Sequence, residues 1–480
     1  MRADALLTDL YELTMMEGYY RNGLIAETAV FDVFFRGNPF GGGYAVFAGL
    51  EQAASYLTGL SFSPDDIAYL DTLGIFSRGF LEHLAALRFT GSMHAFGEGS
   101  LVFPEEPVVR IEAPLGEAQL VEAALLNILN FQTLIATKAS RVILAAGGRP
   151  VVEFGLRRAQ GMDGALSASR AAYIGGCDGT SNLLAGRRFG IPVRGTHAHS
   201  WVMAFDDELS AFRAYAETYP DTSILLVDTY DSVESGIPNA IIVARELVDR
   251  GHRLSGIRLD SGDPSRLCRI ARSMLDEAGL GYVKIVLSND LDEYTIRDLL
   301  DSGVPVDIFG VGTRLATGHG DASLPGVYKM ASLRRNGTDT PRLKISDELP
   351  KGSLPGRKNI DRWFDDHGSM MCDVVRLEGD APGEPVDIRG NPVPTEGLHR
   401  VAEQLRPVVT DGVIVGELST LQESRRRCQT GLAALPEACR RFDSPREYPV
   451  LLDPGLFELR LDMIASIRSG SPGDRSRRGG

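Results

Sequence analysis

The middle third of the chain alternates short β-branched runs with amphipathic stretches, and no other feature constrains the fold as strongly. The runs are PVVEFGL (150–156), IPVRGT (191–196), SILLVDTY (223–230), LSGIRLD (254–260), YVKIVLSND (282–290) and VPVDIFGVGT (304–313). Between them lie helical patterns such as PNAIIVARELVDRGH, PSRLCRIARSMLDEAGL and LDEYTIRDLLDSG, several of which stop at Gly, as helices commonly do. The runs recur every 25 to 40 residues or so, roughly the span of a β–α unit feeding a parallel sheet. Six or seven such units predict a closed barrel or a doubly wound sheet. The run endings favour an α/β barrel. Arg157-Arg158, Thr196 to Ser200, Asp228 to Asp231, Arg258 to Asp263, Ser288-Asn289-Asp290 and Gly310 to Arg314 are all polar, and barrels carry their chemistry on loops at the C-terminal strand ends.

The flanking segments follow another pattern. TAVFDVFFRGNPFGGGYAVFAGL and SMHAFGEGSLVFPEEPVVRIEAPL suggest antiparallel strands with Gly and Pro turns. After about residue 335, DVVRLEGD, EPVDIRG and GVIVGELS read as short strands, with a helix near 417–440. The expected organisation is an α+β domain built from 1–125 and 335–465, a barrel over 126–334 inserted between its halves, and a disordered Gly/Ser/Arg-rich tail over 466–480. The segment LVEAALLNILNFQTLIATKA is interrupted by Glu122, Asn127, Asn130 and Gln132. It reads as a buried helix and not as a membrane span.

Charge and cysteines narrow the class of partner. Fifty Lys and Arg stand against 64 Asp and Glu, a net charge of −14. This argues against general binding to nucleic acid or anionic membrane, and any anionic ligand needs a local basic cluster. The five cysteines are scattered, odd in number and contain no C-x-x-C. With no apolar signal segment at the N-terminus, the expectation is a cytoplasmic protein with free thiols.

Five strand ends carry candidate chemistry. GTHAHSW places His197 and His199 one residue apart. On a strand both would share a face and could clamp a metal, as in metal-dependent amidohydrolases. That site also needs histidines at later strand ends, and His252, His319, His367 and His399 do not fall there. The alternatives are ordinary loop residues, or one imidazole at the start of a helix, where free N–H groups favour phosphoryl chemistry. RLDSGD sets Asp260 and Asp263 around a Ser-Gly turn, and Asp228 and Asp231 repeat the spacing. Such carboxylates suit Mg2+ beside a diphosphate, ribose hydroxyls or an oxocarbenium ion, or else cap the next helix. Arg258 shares a strand face with Asp260 and offers a bidentate grip on a carboxylate or phosphate. FGVGTRLA is a late Gly-rich strand end of the kind that cradles phosphate, and one of Arg157 and Arg158 is expected to point inward.

Taken in order, TDLYELTM, PFGGGYAVFAGL, EFGLRRAQG, GGCDGTSN, GTHAHSW, RLDSGD, SNDLDE and GVGT closely resemble the nicotinate phosphoribosyltransferase family. The resemblance implies a type II phosphoribosyltransferase fold, an irregular α/β barrel with an α+β domain formed by the N- and C-terminal segments. It also implies synthesis of nicotinate mononucleotide and diphosphate from nicotinate and phosphoribosyl diphosphate (PRPP), the first step of NAD salvage from nicotinate. Mg2+ and coupled ATP hydrolysis through a phosphohistidine come with it, as does a homodimer. Carried onto this chain, His199 is the phosphohistidine, with His197 at a variable position, and Asp260 is catalytic. Tyr11, Thr196 and Arg258 surround nicotinate. Arg157, Ser200, Ser288, Asn289, Gly310, Gly312 and Thr313 meet PRPP, and Asp260 and Asp263 are the candidate Mg2+ ligands. Tyr11 and FFRGNPFGGG are expected to reach a neighbouring subunit's barrel. The pattern departs at Gly37, where the family usually carries a basic residue after Arg36, which implies weaker binding of diphosphate or ATP. Nicotinamide and quinolinate phosphoribosyltransferases are the nearest alternatives. The first would need an acidic residue near the base for the amide N–H, and the second a more basic pocket.

Overall fold

The computed structural model describes residues 4–345, 353–401 and 403–469. The chain divides into two compact units, Met1–Leu134 with Ser323–Gly480, and Ile135–Ala322. The boundary falls within one long helix, Glu122–Ala145.

The central unit is an irregular α/β barrel. Its strands are Val151–Glu153, Gly179–Thr180, Ile224–Leu226, Gly256–Leu259, Lys284–Leu287 and Ile308–Val311. Their order around the sheet is 179–180, 151–153, 308–311, 284–287, 256–259, 224–226, and every pairing is parallel. Ile257, Leu259, Ile285, Phe309 and Val311 are fully buried, as a sheet faced by helices on its outside requires. The predicted strand IPVRGT forms only one bridge, Thr180 to Val193. Pro192 has no N–H to offer a ladder, and residues 192–195 are exposed. Conversely, Gly179–Thr180 is a strand that the rhythm did not announce.

Helices Gly161–Ile174, Leu183–Phe189, Glu208–Thr218, Ile237–Asp249, Pro264–Glu277 and Glu293–Asp301 alternate with these strands. Asp207, Asp263 and Asp292 cap three of them through their carboxylates, which satisfies N–H groups that a helix start leaves open.

The terminal unit is assembled from both ends of the chain. Its seven-stranded sheet runs 338–341, 326–335, 28–35, 109–114, 92–95, 406–410, 413–414. Thr28–Phe35 pairs antiparallel with Gly326–Arg335, from Ala29 opposite Leu333 to Phe35 opposite Gly326. The barrel segment was expected to extend to 334. Strand 326–335 instead belongs here, because its alternating apolar residues complete the sheet around TAVFDVFF. A second sheet joins 399–401, 358–364, 370–377 and 450–452. Phe31 stacks on Tyr328 at 4.7 Å within the core. Buried ion pairs join Lys358 to Asp32 at 2.8 Å and Arg362 to Asp373 at 2.6 Å. The expected helix near 417–440 is Leu421–Ala434. Of the expected tail, 466–469 finish the helix Pro454–Ser469, and 470–480 lie outside the described residues. No described helix is long and apolar enough to cross a membrane.

Candidate active site

Arg258 is the centre of the polar strand ends. It leaves strand Gly256–Leu259 with a side chain only 11% exposed. Its Nε donates to Ser288 Oγ at 2.9 Å, Nη1 to Thr196 Oγ1 at 3.0 Å and Nη2 to Asp260 Oδ1 at 2.7 Å. The guanidinium carbon lies 5.5 Å from the centroid of the Phe154 ring, a cation–π contact. A guanidinium has five N–H donors. With three committed, two remain for a ligand anion, and the head group is locked in one orientation.

Asp260 is held with equal care. Oδ1 accepts from Arg258 and from the Ser288 hydroxyl, and its own N–H donates to Asp228 Oδ2 at 2.9 Å. Burial alone would raise the Asp260 carboxyl. The Ser288 hydroxyl and Arg258 more than offset it and hold it below the usual carboxylate range. Asp228 Oδ2 also accepts from Ser261 Oγ at 2.6 Å, while its Oδ1 is buried without a hydrogen-bond partner.

The two histidines have different jobs. His197 is 7% exposed. Its Nε2 accepts the Leu226 N–H at 3.1 Å and its Nδ1 lies 3.3 Å from the Ala198 carbonyl. The ring packs edge-on against Tyr215 at 4.7 Å. It takes the place of a ladder partner where the sheet opens beyond strand Ile224–Leu226, and so closes the barrel. Burial pushes its pKa down, with the Ala198 carbonyl acting the other way. With both ring nitrogens engaged by the backbone, His197 is no metal ligand, and despite its variable position it is not an ordinary loop residue.

His199 is 40% exposed in its side chain. Nδ1 lies 3.2 Å from Thr229 Oγ1 and Nε2 lies 3.9 Å from Asp260 Oδ2. It opens a helix, as expected, but that helix is only His199–Met203. Five residues sum to a weak dipole, so Thr229 and Asp260 are its governing neighbours. Ser200 is exposed beside it.

The remaining loops divide between site and scaffold. Gly310 is required by packing, since a Cβ there would sit 2.5 Å from the Phe154 ring. Gly312 precedes the one-turn helix Thr313–Ala316. Asn289 adopts φ +85°, a left-handed conformation that the loop after Ser288 must hold against strain. Arg157 and Arg158 are both exposed on a short 3-10 turn, Leu156–Arg158, where either guanidinium is open to a ligand. Asp263, expected beside a metal, accepts from Ser265 N at 3.0 Å and Arg266 N at 3.4 Å as a helix cap. Arg314, the charge that closes the polar ending Gly310 to Arg314, is bound to Asp292 at 2.5 Å. Tyr11 lies in the terminal unit on helix Leu10–Arg21 and is 46% exposed. Burial, then the nearby Glu122 carboxylate, raises its hydroxyl pKa.

Sequence reasoning overlooked Glu153, Phe154 and Thr229. Glu153 and Phe154 stand in the run PVVEFGL, Glu153 four residues before Arg157, and Thr229 stands between the two aspartates of VDTYD. Among the described residues no three His, Cys, Asp or Glu side chains come together to hold a metal.

Three family models match this chain. The nicotinate phosphoribosyltransferase (NAPRTase) N-terminal domain matches residues 6–130, the NAPRTase family 150–363 and the NAPRTase C-terminal domain 357–460. A nicotinate phosphoribosyltransferase of Bacillus subtilis is 44% identical over 474 residues, covering 97% of this chain and 96% of its own. One of Mycobacterium tuberculosis is 42% identical over 449 residues, covering 93% and 91%. Among solved structures, human nicotinic acid phosphoribosyltransferase superposes with a TM-score of 0.80 at 33% identity, over 94% of this chain and 99% of that one. A nicotinate-nucleotide pyrophosphorylase of Pyrococcus furiosus gives 0.70 at 25% identity, over 90% and 95%.

Proposed function

The chain belongs to the nicotinate phosphoribosyltransferase family, and from that premise we propose that it joins nicotinate to PRPP, releasing nicotinate mononucleotide and diphosphate, with ATP hydrolysis coupled through phospho-His199. The reaction would open NAD salvage from nicotinate. The observation that carries the reading is the fixed guanidinium of Arg258, held by Thr196, Ser288 and Asp260 with His199 alongside.

The geometry suits that chemistry. The two remaining N–H groups of Arg258 match a pyridine carboxylate and hold the ring with its nitrogen free to attack the ribose C1. As the C1–O bond to diphosphate breaks, positive charge grows on the ribosyl ring. The Asp260 carboxylate, kept ionised by its neighbours, stabilises that charge. For ATP coupling, Thr229 Oγ1 accepts a hydrogen bond from Nδ1–H, which keeps the proton on that nitrogen and leaves the Nε2 lone pair to take the γ-phosphoryl group as its bond to ADP breaks. Water then cleaves the N–P bond. Tyr11 and the FFRGNPFGGG segment would reach the barrel of a second subunit in a homodimer. Arg157, Ser200, Asn289, Gly312 and Thr313 would meet the phosphates. The net charge of −14 and five buried thiols suit a cytoplasmic enzyme of small anions.

Magnesium fits in a particular way. Asp228 keeps a buried Oδ1 without a hydrogen-bond partner and accepts the N–H of Asp260. One or two carboxylates suit Mg2+ held mainly by water and phosphate oxygens, unlike a closed protein cage. Asp228 and Asp260 would hold the ion, and bound there it would neutralise charge on the leaving diphosphate.

Incubation with nicotinate, PRPP and Mg2+, with and without ATP, tests the reading: nicotinate mononucleotide should form, faster with ATP. His199→Ala should abolish the ATP stimulation and leave slow transfer. No product under either condition would overturn the assignment.

A further inference from the structure

Glu153 ends strand Val151–Glu153 with its side chain turned into the barrel unit, 1% exposed. Its Oε1 accepts the N–H of Gly155. Its Oε2 accepts from Ser169 Oγ at 2.9 Å and Thr180 Oγ1 at 2.6 Å. Three separate elements therefore converge on one carboxylate: the turn after the strand, the helix Gly161–Ile174 and the strand Gly179–Thr180. The chain continues outward. Asn182 donates its N–H to Thr180 Oγ1 at 2.9 Å and its amide to Ser169 Oγ at 3.2 Å. No described cation lies within ion-pairing distance of Glu153, so the group is balanced by neutral donors alone. A buried carboxylate is costly unless each donor is placed for it, which makes this arrangement a poor choice for mere filling.

Gly155 shows what the arrangement positions. A Cβ on Gly155 would lie 2.2 Å from Ala316 Cβ and 3.0 Å from the Gly312 carbonyl. The residue is thus wedged between Glu153 on one side and the Gly312–Ala316 turn on the other. Its carbonyl accepts the N–H groups of Arg158 at 2.8 Å and Ala159 at 3.1 Å, which sets the turn that presents Arg157. The Arg157 turn and the Gly310–Thr313 loop therefore share one anchor.

We infer that Glu153 is a positioning residue for the phosphate-binding end of the site, fixing the Arg157 turn against the Gly310–Thr313 loop through Gly155. The inference rests on the phosphoribosyltransferase reading above. Glutamine at 153 keeps the shape but turns an NH2 toward a donor, because Gly155 N–H cannot reverse its role and the two hydroxyls must re-aim.

The test uses the full-length chain and the variants Glu153→Gln, Glu153→Asp, Arg157→Ala and the Glu153→Gln/Arg157→Ala pair. Glu153→Gln should raise KM for PRPP about tenfold or more and leave KM for nicotinate within about twofold. The double variant should be no worse than Arg157→Ala alone, since one effect runs through the other. Glu153→Asp, too short to reach all three donors, should not rescue. Direct titration of PRPP into each protein should show the same order of affinity as KM. Multiplicative effects of the two substitutions, or an equal loss for both substrates with a lowered melting temperature, would mark Glu153 as a purely structural group and overturn the inference. A wild-type chain that makes no nicotinate mononucleotide would overturn the reading beneath it instead.

Discussion

Replacing His197 by Ala isolates the barrel-closing role from the phosphoryl role next door. The substitution leaves the Leu226 N–H, at the open edge of the sheet, without its acceptor at 3.1 Å. A buried donor so orphaned costs about 1–3 kcal/mol. Loss of the edge-on contact with Tyr215 at 4.7 Å adds about 0.5–1.5 kcal/mol. The expected destabilisation is about 2–4 kcal/mol, or roughly 4–16 °C in the barrel unit's melting midpoint for a unit of this size. Chemical denaturation followed by tryptophan fluorescence would read it, since Trp201 packs on the same Tyr215 at 5.7 Å. His197→Gln, which keeps an acceptor, should recover part of the loss. The effect also has a pH signature. The folded pKa of His197 lies below its ordinary value, so the unfolded chain binds the proton first. The contribution is complete above about pH 6.5 and is lost as pH falls through the folded pKa. The alanine variant should lack that part of the acid-side decline. ATP coupling per folded molecule should survive in His197→Ala and vanish in His199→Ala. Unchanged stability in His197→Ala together with lost ATP coupling would refute the division of roles.

Three further outcomes are expected. Gly310→Ala puts a methyl 2.5 Å from the Phe154 ring, which must then move from under Arg258. Stability should fall by about 1–3 kcal/mol and KM for nicotinate should rise, both measurable on one preparation. Gly37→Lys meets open space around the new Cβ with no positive φ to oppose it, so it should fold normally and lower KM for PRPP or ATP; an unchanged or raised value for both would contradict the reading of that departure. Glu12 has its pKa raised by burial to about 7, against the opposing hydrogen bonds from Thr8 and the Ala123 N–H. Its folded form keeps a proton that the unfolded chain loses near pH 4.5. Its contribution is therefore present below that pH and lost as pH rises to about 7, and Glu12→Gln should flatten the stability curve between those values in urea titrations.

The sequence exposed the barrel through periodicity, and the polar strand ends through residue type. Arg258, Asp260, Ser288 and Thr196 were singled out and do converge. What escaped has physical causes. Gly179–Thr180 is too short for any periodicity to register, and IPVRGT imitates a strand although Pro192 cannot donate to one. Asp263 and Arg314 look like site charges in one dimension, but a helix cap and an ion pair absorb them. Glu153 was passed over because a single acidic residue inside an apolar run gives no hint that three donors from distant positions meet it. His197 was misjudged for a similar reason: a variable family position says nothing about a backbone N–H 29 residues away that needs an acceptor.

The pairing of strand Thr28–Phe35 with strand Gly326–Arg335 also sets a timetable. During synthesis the first strand emerges roughly three hundred residues before its partner, a wait of about 15–60 s at ordinary translation rates. It can pair with Val109–Pro114 early, but its other edge stays open until the whole barrel has left the ribosome. An open, strongly apolar edge is a template for the wrong neighbour. The barrel unit, Ile135–Ala322, is contiguous and can finish within that interval. Slowing translation ahead of residue 326 lengthens the exposure, and the yield of native protein becomes a race between the ribosome and aggregation.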